Sequence, residues 1–220
     1  LTGNAAGLET KFERGGKTVV VSGQAQIDTT IKKYGTGSLQ LDGTGDYISI
    51  ANDPDFGLGT TDFTIEGYFY GNNVTGTQSL VDMRAGTATD TGLYIYHVGG
   101  TVKVYYNGAE ILSGGTLSAT TWTHIAVSRT GNTINLYVNG TRVDSDNSFS
   151  STLGTSKPFI IGAVYDASNA FNGYIDDFRI SDNARYTAGS YTPPLNEVSN
   201  DNNTKLLLRF NGTDTSTTLV

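Results

Sequence analysis

Three segments of this 220-residue chain combine strand-like alternation with turn residues. They are GSLQLDGTGDYISI at 37–50, TWTHIAVSRTGNTINLYVNGTRV at 121–143 and NGYIDDFRIS at 172–181. In each, β-branched and aromatic residues recur among polar ones, and Gly, Asn or Asp interrupts the run. This pattern is typical of short strands with one buried face that are joined by tight turns. The segments therefore predict an all-β sandwich and leave the function open.

The length and composition fit one β-rich domain. The chain has 28 Gly and 13 Tyr, and only 16% of its residues are charged, a balance that suits short strands and many turns. The lack of Cys excludes disulfides and thiolate metal sites. The net charge of −7 argues against a nucleic-acid partner, which a basic patch would attract. No apolar run approaches the ~20 residues of a membrane helix, so membrane insertion is not expected.

Strand-like runs continue along the chain between turn signals such as Asn107-Gly108 and Asn139-Gly140. We predict strands over residues 19–21, 24–28, 38–42, 47–50, 62–70, 79–83, 92–98, 102–106, 121–129, 133–138, 141–144, 158–164, 174–180 and 205–210. Helical periodicity is absent, and only 182–190 would tolerate a short helix.

Four motifs carry a family resemblance. LQLDGTGDYISI, DFTIEGYFY, WTHIAVSRTGNTINLYVNG and GYIDDFRISDNARYT are similar to the laminin-G-like, concanavalin-A-like jelly-roll domains, in the form found in bacteriophage and bacterial surface proteins. The resemblance covers about residues 17–187. It implies a two-sheet antiparallel β-sandwich. Lectins, adhesion modules and glycosidases all use this sandwich, so the resemblance leaves the activity open.

The carboxyl-terminal residues contain a phrase that family members often carry at the amino end. LLLRFNGTD occupies 206–214, after a polar stretch at 200–204. We therefore predict a sandwich domain over residues 1–199, followed by a linker and terminal strand over 200–220, with the strand at 206–210. That strand either completes the sandwich, since an unpaired sheet edge is a liability, or begins a second repeat of a longer array.

Two adjacent carboxylates, Asp176 and Asp177, interrupt an apolar strand. Adjacent strand residues point to opposite faces, so one of the two needs a partner inside the protein or at a sheet edge. In related jelly rolls, the first Asp of this strand often helps to bind a structural Ca²⁺ together with an early Gly-rich loop. The resemblance thus implies a calcium site at Asp176, with Asp42 and Asp46 from that loop. The alternative is that Asp176 pairs with Arg179 or caps a turn.

Catalytic motifs are missing from the sequence. Glucanases of this fold use a Glu-x-Asp-x-(x-)Glu strand. The chain has five glutamates, Glu9, Glu13, Glu66, Glu110 and Glu197. Only Glu9 and Glu13 have that spacing, and Lys11 stands where the pattern requires Asp. His97 and His124 lie near no nucleophile elbow. We expect His124 to be a core or cross-strand residue and Trp122 to be a core residue. We predict no catalytic residue and a protein that is not an enzyme.

Tyrosines and two polar loops are the candidates for a ligand site. The tyrosines on strands expected to be neighbours are Tyr68, Tyr70, Tyr94, Tyr96, Tyr105 and Tyr106. Tyr rings stack on the apolar faces of sugars, although half of such residues would instead fill the core. The loops 84–91 and 164–172 are long and polar enough to line a rim. The ligand-binding residues that we select are Asp90, Tyr96, Tyr165 and Asp166.

Binding without catalysis is the function that these observations favour. We predict a module that recognises a glycan or cell-surface receptor, as part of a phage or bacterial surface protein, in an extracellular location or on a virion surface. Neighbouring repeats of a larger protein would be further partners. The alternatives are a structural or oligomerisation module of a virion fibre and, more weakly, an accessory domain of a polysaccharide-degrading enzyme.

Overall fold

The chain folds into two β-sheets packed face to face. The computed structural model describes residues 17–84, 86, 89–154 and 158–215. Its strands are β1 (Val19–Ser22), β2 (Gln26–Asp28), β3 (Ser38–Asp42), β4 (Tyr47–Ile50), β5 (Phe63–Gly71), β6 (Thr77–Asp82), β7 (Tyr94–Val98), β8 (Thr101–Tyr106), β9 (Ala109–Thr116), β10 (Thr123–Thr130), β11 (Thr133–Val138), β12 (Thr141–Asp146), β13 (Phe159–Ile161), β14 (Asn172–Ser181) and β15 (Thr204–Leu208). Among the described residues, no helix is long and apolar enough to cross a membrane.

The sheets contain seven and eight strands. The first runs in the order β1-β4-β13-β6-β7-β8-β9, and the second in the order β12-β11-β10-β5-β14-β3-β2, with β15 also beside β14. Each named pair of neighbouring strands is antiparallel. The predicted fold class, an all-β sandwich of two antiparallel sheets, is confirmed.

Alternation along the strands places their apolar side chains between the sheets. In β3, Leu39 and Leu41 are fully buried, whereas the glutamine between them is partly exposed. Phe56, Phe159 and Phe178 pack in series, with ring centroids 5.6 and 5.7 Å apart. Each of these rings is at most 1% exposed. Burial of such large apolar side chains is the main force that holds the two sheets together.

One strand, β9, is not predicted from the sequence, because Gly114 and Gly115 weaken its alternation of apolar and polar residues. β8 nevertheless pairs with it, and register shifts in the ladder absorb the irregular residues. Gly115 has φ +66, and a Cβ there would lie 2.5 Å from a methyl group of Val138. The neighbouring strands, rather than local propensity, therefore determine the conformation of β9.

Residues 182–200, which we call the strap, cross the outer face of the eight-stranded sheet. The short helix that the sequence would tolerate at 182–190 does not form. Hydroxyl groups on the sheet hold the strap by its backbone: Tyr137 donates to the carbonyl of Ala188 (2.9 Å), and Tyr68 donates to that of Pro194 (2.5 Å). The strap thus covers part of a sheet face that would otherwise meet solvent.

Strand β14 changes its partner halfway along. Its first half pairs with β3, and its second half pairs with β15. Between the two halves, the ladder with β5 shifts register between Asp176 and Arg179, and Asp177 adopts φ +51. A residue with a left-handed backbone conformation is typical of a bulge, where Asp and Asn adopt a positive φ more readily than bulkier residues.

The carboxyl-terminal strand packs within this sandwich. β15 pairs with β14 over Thr204–Leu208, beyond the boundary at 199 that the sequence suggests. Leu206, Leu208 and Phe210 are each at most 4% exposed and belong to the hydrophobic core. Residues 204–210 are therefore an integral part of the fold.

Candidate ligand-binding site

The outer face of the seven-stranded sheet carries five tyrosines. They are Tyr47 on β4, Tyr94 and Tyr96 on β7, Tyr105 on β8 and Tyr165 on the loop before β14. We call this surface the tyrosine face. Tyr94 and Tyr105 are paired across neighbouring strands, and the rings of Tyr94 and Tyr96 lie parallel with centroids 4.5 Å apart. Antiparallel register thus places residues from distant parts of the chain on one surface.

An arginine lies at the centre of the tyrosine face. The guanidinium carbon of Arg84 is 4.0 Å from the ring centroid of Tyr94, 5.7 Å from that of Tyr105 and 5.9 Å from that of Tyr165. Attraction between a cation and the negative face of an aromatic ring favours this arrangement. Arg84 is only 8% exposed, so its planar group is held in place between the rings.

Asp82 orients this arginine. Its two carboxylate oxygens accept hydrogen bonds from Nε and Nη2 of Arg84, at 2.9 and 3.0 Å. One of them also accepts the backbone N–H of Tyr165 at 3.3 Å. Burial alone would lower the pKa of Arg84, but the hydrogen bonds and charge of Asp82 outweigh burial and raise it. Asp82 thus links the end of β6 to the loop that carries Tyr165.

Hydroxyl and charged groups surround the rings. The hydroxyl of Tyr94 lies 2.8 Å from that of Ser79, and Lys103 forms an ion pair of 2.6 Å with Glu110. Burial raises the pKa of Tyr96 to about 12, and the charge of Glu110 adds to this effect. The phenol group of Tyr96 is therefore neutral at physiological pH and able both to donate and to accept hydrogen bonds.

A cleft of about 250 Å³ opens beside Arg84. Its lining residues are Tyr47, Ser49, Arg84, Gly86, Pro158, Ile160 and Tyr165. Tyr165 is 45% exposed, whereas Arg84 is largely buried. The cleft combines apolar rings and aliphatic surface with a charged, oriented hydrogen-bond donor, which is the usual composition of a small-ligand site.

Three of the four selected ligand residues fall on or near this surface. Tyr96 and Tyr165 lie on the tyrosine face, and Asp166 follows Tyr165 as an exposed residue. Hydrogen bonds from the side chain of Ser168 and from its backbone N–H (3.0 Å) lower the pKa of Asp166, and the charge of Arg84 contributes to the same shift. Asp90 instead stabilises its own turn by accepting the N–H of Gly92 at 2.7 Å.

Sequence reasoning missed Asp82 and Tyr47, and it included Arg84 only as the first residue of the candidate loop 84–91. The sequence signal that could have indicated Asp82 and Arg84 was their spacing in Asp-Met-Arg at the end of a strand, because strand residues two positions apart lie on the same face of the sheet. The other candidate tyrosines lie elsewhere: Tyr106 is a core residue and Tyr68 is covered by the strap. The expectation that Trp122 is a core residue is wrong, because it precedes β10 on the outer face of the eight-stranded sheet and is partly exposed.

The proposed calcium ligands do not converge. Asp42 and Asp46 are close, since the N–H of Asp42 donates to Asp46 at 2.9 Å. Asp176 lies four positions further along β14 than Asn172, the register partner of Asp42. It accepts the backbone N–H groups of residues 33 and 34, at 2.8 and 3.0 Å.

This geometry matches the turn-capping alternative for Asp176. The described part of the chain holds no group of three His, Cys, Asp or Glu residues placed to bind a metal. The three predicted ligands therefore do not fit one shared ion. Calcium binding by this chain stays a prediction.

A second polar cluster lies beneath the strap. Glu66, 1% exposed, accepts hydrogen bonds from Arg179 (2.6 and 2.8 Å) and from the hydroxyl of Tyr186 (2.6 Å), and His124 Nε2 lies 3.3 Å away. Burial alone would raise the pKa of Glu66, but His124, Arg179 and Tyr186 together lower it to about 2. The cluster is enclosed and fully engaged in holding the strap.

The fold and the tyrosine face define a jelly-roll sandwich with an exposed aromatic surface. The chain belongs to the concanavalin A-like lectin/glucanases superfamily, whose laminin-G-like family matches residues 42–188. None of the curated proteins compared with the chain matches it in sequence.

Solved structures show the same fold at low sequence identity. A candidate carbohydrate-binding protein from Bacteroides ovatus aligns with a TM-score of 0.60 and 14% identity, over 89% of this chain and 52% of that one. The ligand-binding domain of botulinum neurotoxin serotype D, solved with N-acetylneuraminic acid, aligns with a TM-score of 0.58 and 13% identity, over 83% of this chain and 48% of that one. A Trypanosoma rangeli sialidase mutant with trans-sialidase activity aligns with a TM-score of 0.58 and 12% identity, over 82% of this chain and 31% of that one. The chain therefore spans about half or less of each of these proteins.

Proposed function

We propose that this protein is a non-catalytic glycan-binding module and that its ligand lies on the tyrosine face. The observation that carries the proposal is Arg84, which Asp82 orients and which lies within 6 Å of three tyrosine ring centroids. Sugar rings have one apolar face and a rim of hydroxyl groups. Tyrosine rings would contact the apolar face, while Arg84 and the phenol hydroxyls would hydrogen-bond to the rim.

The similar structures support this proposal. Two of them are described as a candidate carbohydrate-binding protein and as a toxin domain in complex with N-acetylneuraminic acid. The sialidase shares the fold, but the Glu-x-Asp-x-(x-)Glu pattern of glucanases is missing here, and Glu66 is enclosed beneath the strap. We further propose a setting on a phage or bacterial surface, where the ligand would be a cell-surface receptor.

A glycan array probed with the wild type and with Tyr165→Ala tests this function. Tyr165 is 45% exposed, so its truncation leaves the core intact. We expect the variant to bind the best glycan about tenfold more weakly, because an aromatic contact of this kind contributes on the order of 1 kcal/mol or more. Arg84→Lys should weaken binding further, since lysine cannot reproduce the planar pair with Asp82.

Arg142→Ala is the matched control, because Arg142 is exposed on β12 of the other sheet. Its affinity should equal that of the wild type. Equal affinity of the wild type, Tyr165→Ala and Arg84→Lys would contradict the site. If the wild-type protein binds no glycan on the array, that result would favour the alternative function as a structural or oligomerisation module.

A further inference from the structure

Five side chains form a single row across the outer face of the eight-stranded sheet, on the side of the sandwich opposite the tyrosine face. They are Gln26, Gln40, Tyr174, Tyr70 and Trp122, contributed in that order by β2, β3, β14, β5 and the residue before β10. We call them the amide–aromatic row. Neighbouring strands lie about 4.8 Å apart, so the row extends over roughly 19 Å.

Contacts run without interruption along the row. Gln26 Nε2 donates to Gln40 Oε1 at 3.0 Å, and Gln40 Nε2 lies 3.5 Å from the hydroxyl of Tyr174. The ring centroid of Tyr70 is 5.7 Å from that of Tyr174 and 5.5 Å from that of Trp122. Neighbours thus hold these side chains in position before any ligand arrives. Such preorganisation reduces the entropy that binding would cost.

The strap leaves this row open. It covers the adjacent part of the sheet, where Tyr68 and His124 lie beneath Pro194 and Tyr191. Every member of the row except Tyr174 is partly exposed. Tyr174 is 7% exposed because it lies at the centre of the row.

Amides and a carboxylate border the row. On the side away from the strap, the amide of Asn72 donates to that of Asn172 at 2.8 Å. The register partner of Asn172 is Asp42, an exposed carboxylate. The row itself presents amides, phenols and an indole, with no charged side chain. An anionic ligand would meet repulsion from Asp42 without a compensating cation in the row.

We propose that the amide–aromatic row is a second binding site, independent of the tyrosine face, that takes an uncharged oligosaccharide along its length. Aromatic rings at one end would contact the apolar faces of successive sugar rings, and glutamine amides at the other end would hydrogen-bond to hydroxyl groups. A straight row that crosses four strands and ends at the residue before β10 suits an extended chain of sugars better than a single sugar. The two faces of the sandwich would then bind two glycan chains at once.

Tryptophan fluorescence reports on this row alone, because Trp122 is the single tryptophan of the chain. We would titrate the protein with cellohexaose, xylohexaose and mannohexaose, with excitation selective for tryptophan. We expect a saturable change in Trp122 emission with at least one hexaose. The same change should occur in Arg84→Lys, which impairs only the tyrosine face. In Tyr70→Ala and Gln40→Ala, the apparent Kd should rise by on the order of tenfold.

Three results would overturn the proposal. One is unchanged Trp122 emission with all three hexaoses at millimolar concentration. Another is a response that Arg84→Lys abolishes while Tyr70→Ala and Gln40→Ala retain it. The third is a saturable response to a decaproline peptide and to none of the sugars, which would assign the row to proline-rich segments instead. Thermal unfolding of each variant verifies that it is folded. Because glycan binding on the tyrosine face is measured with Tyr165→Ala, the two sites can fail separately.

Discussion

At the scale of single residues, the buried carboxylates Asp176 and Asp177 connect separate parts of the chain. Asp176 accepts the N–H groups of residues 33 and 34, and Asp177 accepts the N–H of Val198 at 2.7 Å. They lie where β14 exchanges β3 for β15, so they hold the loop before β3 and the strap against the sheet at the point where its ladder is broken. This role explains why two acidic residues interrupt an apolar strand.

The titration of Asp177 should make stability depend on pH. Burial raises the pKa of Asp177 to about 7, whereas an unfolded Asp titrates near 3.9. Between about pH 4 and pH 7 the folded state therefore binds more protons, so the free energy of unfolding that this residue contributes falls as pH rises and is constant above that window. Asp177→Asn removes this contribution. Asn also tolerates the φ of +51 at this position.

We expect Asp177→Asn to gain stability relative to the wild type by about 4 kcal/mol between about pH 4 and pH 8, measured by urea unfolding. His97, whose pKa burial lowers to about 4, shifts stability in the opposite direction, but it is present in both proteins and cancels in the difference. If the difference in the free energy of unfolding between the two proteins does not change with pH across this range, the pH dependence does not come from Asp177.

At the scale of elements, the strap is held by a buried ion pair. Glu66 on β5 and Arg179 on β14 meet at 2.6 Å, and Tyr186 of the strap donates to the same carboxylate. Neither charge is exposed by more than 7%. A buried pair of this kind adds little net stability against an apolar substitute, but the loss of one partner leaves the other charge unpaired.

Glu66→Ala should destabilise the protein by roughly 3–5 kcal/mol, because Arg179 would remain buried without its partner. It should also release the strap, which limited proteolysis would detect as cleavage within residues 182–200. Asp201→Ala is the control, since the side chain of Asp201 is 41% exposed and its pair with Arg185 should contribute about 0–1 kcal/mol. Equal urea midpoints for the two variants would show that the Glu66 cluster does not hold the strap.

At the scale of the whole molecule, the two sheets present two different surfaces. The tyrosine face contains a cation, Arg84, with its carboxylate partner, whereas the amide–aromatic row contains no charge. Residues 204–210 at the carboxyl end complete the core between these surfaces, beside strand β14 from the middle of the sheet. The fold therefore depends on residues near the end of the chain.

A chain truncated after residue 203 should fail to fold. It would lose Leu206, Leu208 and Phe210 from the core, and each loss of this size costs about 2–5 kcal/mol. Their sum is comparable to the entire stability of a typical domain, about 5–15 kcal/mol. Circular dichroism and thermal unfolding would detect the change, with a chain that ends at residue 215 as the control. A cooperative transition at the wild-type midpoint in the shorter chain would contradict this role for β15.

Local sequence pattern determined most strands and the sandwich class, because alternation and turn residues act between near neighbours along the chain. It also indicated Tyr96, Tyr165 and the loop at 164–172 beside the tyrosine face. Only the tertiary structure decided which tyrosines share a surface, since strand order and register bring Tyr94 beside Tyr105 and Arg84 between them. The same holds for β9, which its neighbours impose on a glycine-rich segment, and for the amide–aromatic row. That row unites residues from 26 to 174, and no local pattern can encode an alignment of residues from separate strands that are far apart in the sequence.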